Sequence, residues 1–169
     1  AMLQRIKDDG ANVKKYVDTD RELDAAFNFD LSDQIIKGIH KDGSNASIRF
    51  ILQTTIRDFP EQDNANFITN HDMNRVMSQF GGDLGKAKAA AGILLTAPGI
   101  PFIYYGEDIG MMGSKPDELI RTPMQWSSEE GAGFTDGIPW EAINSDYNTV
   151  NVDAQTGEAS SLLEHYRSL

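Results

Sequence analysis

Three short apolar runs, held apart by stretches of helical period, constrain this chain more than any other feature. They are Ala25-Ala26-Phe27-Asn28-Phe29 (within residues 23–31), Phe67-Ile68-Thr69 and Ile100-Pro101-Phe102-Ile103-Tyr104-Tyr105. Each is short and lacks the alternation of a half-exposed strand, so each reads as a strand covered on both faces. After the first run, Ser32-Asp33 reads as a helix start, with Ile35, Ile36 and Ile39 on one face and Asp42-Gly43 as a stop. A second helix is marked by Ile48, Ile51, Leu52, Ile56 and Phe59 until Pro60, and residues 61–64 read as a polar loop. Beyond Gly81-Gly82, Asp83 caps a helix through Ala87, Ala90, Ala91, Leu94 and Leu95, which Pro98-Gly99 ends. Its alanines let it lie close against a sheet. The strand starts fall about 40 and then about 35 residues apart, as βα units require. The expectation is an α/β fold with three parallel strands near residues 25–29, 66–70 and 100–105, joined by right-handed helical crossovers. An open doubly wound sheet and a barrel both satisfy this pattern.

The flanks differ from this regular middle. Residues 1–22 are charged, without a clear period, and read as a surface connection. Residues 109–159 contain six glycines, three prolines and both tryptophans, the texture of a long irregular region; one of such length inside a compact domain is usually functional. A closing amphipathic helix places Leu162, Leu163, Tyr166 and Leu169 on one face. With 169 residues the chain can bury a sizeable core, yet it begins Ala-Met and stops within a helix, so it reads as a piece of something larger.

Composition narrows the partners. The chain has 26 acidic and 15 basic side chains, for a formal charge of −11, which argues against nucleic acid and against an anionic membrane surface. The absence of cysteine excludes a disulfide scaffold, a thiolate metal site and a cysteine nucleophile. No apolar run approaches the roughly 20 residues of a membrane span, and no signal peptide opens the chain. The compartment stays open.

Chemistry concentrates where the strands end. No phosphate-binding glycine loop and no Gly-x-Ser-x-Gly elbow is present, and His40, His71 and His165 are too scattered to suggest a zinc site. Asn70-His71-Asp72-Met73-Asn74-Arg75 follows the second run, placing an amide, an imidazole, a carboxylate and a guanidinium within six residues. Glu107-Asp108 follows the third. In a parallel sheet, groups that follow strands emerge at one edge, where α/β folds bind their ligands. Carboxylates at one rim are what glycoside hydrolysis requires, one to protonate the leaving oxygen and another to attack or stabilise the oxocarbenium-like centre. Taken alone, Asp72 and Asn74 also suit helix caps, and Glu107-Asp108 suits a rim salt bridge or a cap.

Larger motifs tip the balance. Phe67-Ile68-Thr69-Asn70-His71-Asp72, with Arg75 three residues on, resembles the fourth conserved region of the α-amylase family of glycoside hydrolases. Pro98-Gly99-Ile100-Pro101-Phe102-Ile103-Tyr104-Tyr105-Gly106-Glu107-Asp108-Ile109-Gly110 is similar to that family's last barrel strand. Arg121-Thr122-Pro123-Met124-Gln125-Trp126, then Gly131-Ala132-Gly133-Phe134 and Pro139-Trp140, resembles the α-glucosidases, oligo-1,6-glucosidases, trehalose synthases and some α-amylases of the neutral subfamily. Leu23-Asp24-Ala25-Ala26-Phe27-Asn28-Phe29 is like the sixth strand.

The resemblance implies part of a (β/α)₈ TIM barrel, strands six to eight with their helices plus a long loop region, and makes residues 1–169 its C-terminal portion. It gives Asp72 the role of the carboxylate that stabilises the distorted, positively charged transition state. His71, Asn70 and Arg75 fall at substrate-binding positions, His71 donating to a sugar hydroxyl and Arg75 orienting carboxylates. It places the nucleophile and the general acid on strands four and five, outside this chain, so Glu107 does not fill either role. The expected activity of the intact enzyme is retaining hydrolysis or transfer at α-glucosidic bonds of oligosaccharides or α-glucans, with the isolated chain inactive and prone to self-association. No cofactor or metal is expected in this chain, although calcium sites occur elsewhere in such enzymes. The alternative is a non-catalytic partner subunit of the same fold, such as a transporter heavy chain, which has no need of sugar-binding side chains.

Overall fold

The structure, a computed structural model, describes residues 17, 23–40, 45–59 and 63–169. It divides into two compact units, Ala1–Ile68 with Ile93–Phe102, and Thr69–Gly92 with Ile103–Leu169.

The first unit is built on a parallel sheet in the order β1 (Ala26–Phe27), β2 (Asn64–Asn66), β3 (Ile100–Pro101). Ala26 lies opposite Asn64, and Asn66 opposite Pro101. The main-chain N–H groups of Asn28 and Phe102 extend the pairing by donating to Ala65 O (2.8 Å) and Asn66 O (2.7 Å). The parallel arrangement agrees with the expectation, but the central strand lies earlier in the chain than the apolar run at Phe67. Asn64, expected in the polar loop, and Asn66, expected at the strand's start, are both fully buried. Asn64 Nδ2 donates to Asn66 Oδ1 (2.7 Å), and both amides donate to Pro98 O at 3.0 and 2.9 Å. These bonds offset most of the desolvation penalty of two amides in a central strand, and only Asn64 Oδ1 is left without a partner. Gly99, at φ +120°, makes the approach possible, because a Cβ there would stand 2.4 Å from the Asn64 amide nitrogen.

Phe67 and Ile68 follow the ladder and fill the core instead of pairing in it. Phe67 meets the rings of Phe27 and Phe29 edge-on, at centroid separations of 5.6 and 5.0 Å. Helix α1 (Phe29–Ile39) starts three residues before Ser32-Asp33. Asn28 caps it by accepting from the Leu31 N–H at 3.0 Å, while Ser32 is buried and donates to Ile68 O at 2.6 Å. Helix α2 (Asn45–Asp58) packs on α1 and buries Ile48, Ile51 and Thr55, with Phe59 just beyond its end. Ile56, expected on the same face, is exposed. Residues 1–16 and 18–22 of the expected surface connection, the stop at Asp42-Gly43, Pro60 and the start of the 61–64 loop lie outside the described residues.

The second unit holds the turn at residues 69–75, helix α3 (Val76–Gln79) and the first nine residues of α4 (Leu84–Thr96). Asp83 caps α4 as expected, its Oδ1 accepting from the Lys86 N–H at 3.1 Å. Ala87, Ala90 and Ala91 are buried. Between residues 109 and 159 only short pieces form: α5 (Asp117–Ile120), a 3₁₀ segment (Glu130–Gly133) and α6 (Val152–Gln155). Buried Gln125 holds this region together, donating to Asp146 and Val150 O and accepting from Asn144. Helix α7 (Leu162–Ser168) is capped by Ser161 and buries Leu162, Leu163 and Tyr166 while Leu169 is exposed. Among the described residues no helix is long and apolar enough to cross a membrane.

Candidate functional site

The polar residues after β2 form a tight turn. Asn70 Oδ1 accepts from the Asp72 N–H at 2.9 Å, and Asn70 O accepts from the Met73 N–H at 3.1 Å. This Asx turn uses up the Asn70 side-chain oxygen and lifts His71 and Asp72 outward. Their side chains are 66 % and 51 % exposed, and His71 Nε2 stands 3.6 Å from Asp72 Oδ2.

Arg121 braces the turn, and that contact was hidden from the sequence. Its Nε donates to His71 O (2.8 Å) and its Nη2 donates to Asp72 Oδ1 (2.9 Å) and to Asp117 Oδ2 (2.8 Å). A planar fork of donors suits such a task, since it fixes a carboxylate in direction as well as in distance. Asp117 also pairs with Lys115, and these cations hold its carboxyl below the usual range, the Lys115 hydrogen bond most of all. No spacing rule links residue 72 to residue 121; the available signal was an arginine opening a dense motif in a region of loops.

Arg75 is placed differently. It is 1 % exposed, its main-chain N–H donates to Gly113 O (2.9 Å) and its Nη1 donates to Tyr105 O (2.7 Å). Its guanidinium lies 4.8 and 4.6 Å from the ring centroids of Tyr104 and Tyr105. Burial lowers its pKa from the usual arginine value. Arg75 therefore belongs to the interior beneath the turn, away from the exposed pair. The Tyr104 and Tyr105 hydroxyls donate to Ile120 O (3.0 Å) and Thr122 O (2.7 Å), which ties the 120–122 segment to the chain that follows β3.

Glu107 is neither a rim salt bridge nor a helix cap. It is 3 % exposed; Thr69 Oγ1 donates to its Oε2 (3.0 Å) and the Tyr166 hydroxyl to its Oε1 (3.0 Å). Burial dominates and pushes its carboxyl up to about 7, against the opposing pull of those hydrogen bonds. The neighbouring Asp108 is also pushed up by burial. Asp108 joins Tyr105, Met124, Trp126, Phe134 and Trp140 around an open hollow of about 580 Å³, whose lining does not include Asp72. Among the described residues no group of three or more acidic or histidine side chains could hold a metal.

The sheet is parallel α/β, and beyond β2 the chain passes through buried Phe67 and Ile68 to an exposed carboxylate held by Arg121; α/β folds of this class bind their ligands at strand ends. Within that class the assignment is specific. The chain belongs to the α-amylase family, since residues 4–169 match the α-amylase catalytic domain. It is 37 % identical over 162 residues to α-amylase 3 of Dictyoglomus thermophilum, covering 94 % of this chain and 32 % of that protein. It is 32 % identical over 216 residues to an oligo-1,6-glucosidase of Heyndrickxia coagulans, covering 98 % of this chain and 39 % of the relative. Among solved structures it is similar to the α-amylase from H. orenii, with a TM-score of 0.76, 36 % identity, and coverage of 96 % of this chain and 33 % of that one. The chain thus spans about a third of the length of the relatives it matches, proteins that are glycoside hydrolases or transglycosylases acting on α-glucosidic bonds.

Proposed function

We propose that this chain supplies strands six to eight of a (β/α)₈ barrel in a retaining enzyme that hydrolyses or transfers α-glucosyl groups of oligosaccharides or α-glucans. Asp72 is the carboxylate that stabilises the transition state. The observation that carries this reading is the arginine-braced turn, with Asp72 Oδ1 held at 2.9 Å by Arg121 while half of the side chain faces outward. A carboxylate fixed in that way can accept hydroxyls of the sugar being cleaved. Its bonds and its charge act most strongly as the ring flattens and turns positive, and interactions stronger in the transition state than in the ground state are those that raise kcat. His71, exposed beside it, donates to a hydroxyl of the same sugar. Asn70 contributes through the shape of the turn, and Arg75 acts from below.

The nucleophile and the acid belong to the rest of the barrel. Glu107, enclosed by Thr69 and Tyr166, is not offered to a substrate. The chain alone is therefore inactive.

Asp72→Asn in the full-length enzyme tests the reading. Turnover of an aryl α-glucoside should fall by several orders of magnitude with the circular dichroism spectrum unchanged; near-normal turnover in the folded variant would make the turn purely structural. Release of glucose from maltose or isomaltose by the purified 169-residue chain would overturn the division of roles.

A further inference from the structure

Glu107 lies within a shell that the chemistry above leaves unused. Its Oε2 accepts from the hydroxyl of Thr69 (3.0 Å), the residue directly before the Asn70-His71-Asp72 turn. The Tyr166 hydroxyl, from α7, takes the other oxygen. Besides Tyr166, the titratable and charged groups that face it are Asp108, its neighbour in the chain, and Arg75, whose guanidinium acts on it from the turn side. A buried carboxylate bonded at one oxygen to Thr69 and at the other to a tyrosine of α7 fixes the Thr69 side chain against that helix. Asp72 lies only three residues beyond Thr69, in the turn that Asn70 closes.

We infer that Glu107 is a positioning residue for Asp72: it clamps the base of the turn through Thr69, and Tyr166 of the last helix sets the clamp. This rests on the reading of Asp72 given above. The clamp is strongest when Glu107 is ionised, because a carboxylate accepts every donor offered to it. A protonated Glu107 turns one oxygen into a donor, so the two hydroxyls can no longer both donate to an ionised acceptor. The position of the turn therefore follows the charge of a residue that never meets the substrate.

The test follows the amide resonances of Thr69, Asp72 and Met73 in the full chain against pH. All three should move together with a midpoint near 7. Glu107→Gln should abolish the transition. Tyr166→Phe, which removes a hydrogen bond that favours the ionised form, should shift the midpoint upward while the α4 resonances stay in place. In the full-length enzyme, Glu107→Gln should lower kcat about tenfold, the factor that one misplaced hydrogen bond represents, with KM changed less than about twofold. Turn amides that do not titrate with Glu107 overturn the inference. So does an unchanged kcat in Glu107→Gln when Asp72→Asn abolishes turnover. If instead Asp72→Asn itself turns over normally, the reading of Asp72 falls, while the titration still decides whether Glu107 clamps the turn.

Discussion

Asp72 and Glu107 both follow buried strands, and little in their local sequence sets them apart, yet the structure treats them as opposites. Asp72 stands half exposed on a turn, paired with Arg121. Glu107 is enclosed, with neutral donors from Thr69 and Tyr166 as its bonded partners. An exposed carboxylate keeps its charge cheaply and can act on what arrives from solvent. A buried one keeps its charge only above an elevated pKa and acts on the protein itself. The rank of a carboxylate in a motif therefore says less about its role than the number of donors that surround it.

The largest effect that would sharpen this contrast is on catalysis. Asp72→Asn should cost at least about 10²–10³ in kcat, the scale of losing one preorganised charge in a transition state. Its folding free energy should stay within about 0.5 kcal/mol of the parent, as for surface substitutions elsewhere. A variant that unfolded at lower denaturant concentration would make Asp72 a structural residue like Glu107.

The second effect is on stability against pH. Glu107 has its folded-state pKa raised from 4.5 to about 7, so the folded state holds this proton more tightly than the unfolded chain does. Its contribution is fully present below pH 4.5 and is lost as pH rises through 7, a decline of roughly 3 kcal/mol. Asp108, also raised by burial, adds in the same direction. Urea unfolding of the full chain across this window should show the decline, and Glu107→Gln should remove most of it. A flat profile in the parent chain would mean that Glu107 is solvated, and the contrast with Asp72 would vanish.

A smaller effect separates the clamp from plain burial. Tyr166→Phe keeps the ring but deletes one hydrogen bond to Glu107, and should cost about 0.5–1.5 kcal/mol near neutral pH. At acid pH, with Glu107 protonated, the cost should shrink. Equal losses at both pH values would show that the tyrosine contributes through packing alone.

Much of the fold was legible because it rests on local signals. Asp83 capped α4, the alanines of α4 were buried, and the first and third runs contain parallel strands, although β3 is only Ile100–Pro101 and is exposed where a strand covered on both faces was expected over 100–105. The central strand was misplaced because Asn64 and Asn66 are polar by composition and become strand residues only once Pro98 O comes within reach. The start of α1 was missed for a related reason, since Asn28 sits in an apolar run but serves as the cap. In the site, Asn70, His71 and Asp72 were visible as a dense polar motif. The Arg121 brace and the Glu107 clamp were not, because each joins residues 38 or more positions apart and obeys no periodicity.

The smallest effect probes the brace itself. Arg121→Gln removes a cation shared by Asp72 and Asp117 and the donor to His71 O. All three carboxylate-bearing or donor side chains are at least a third exposed, and exposed ion pairs are weakened by hydration and salt. The melting temperature should therefore drop by less than about 3 °C, and by less still in molar salt. The Asx turn should persist, because Asn70 closes it from within. What should change is the direction of the Asp72 carboxylate, read as new chemical shifts at Asp72 and His71 with those of Glu107 and Tyr166 left in place. If Arg121→Gln instead lowers the melting temperature as much as Tyr166→Phe does, the exposed brace is a structural element, and the division between a carboxylate for the substrate and a carboxylate for the fold does not hold.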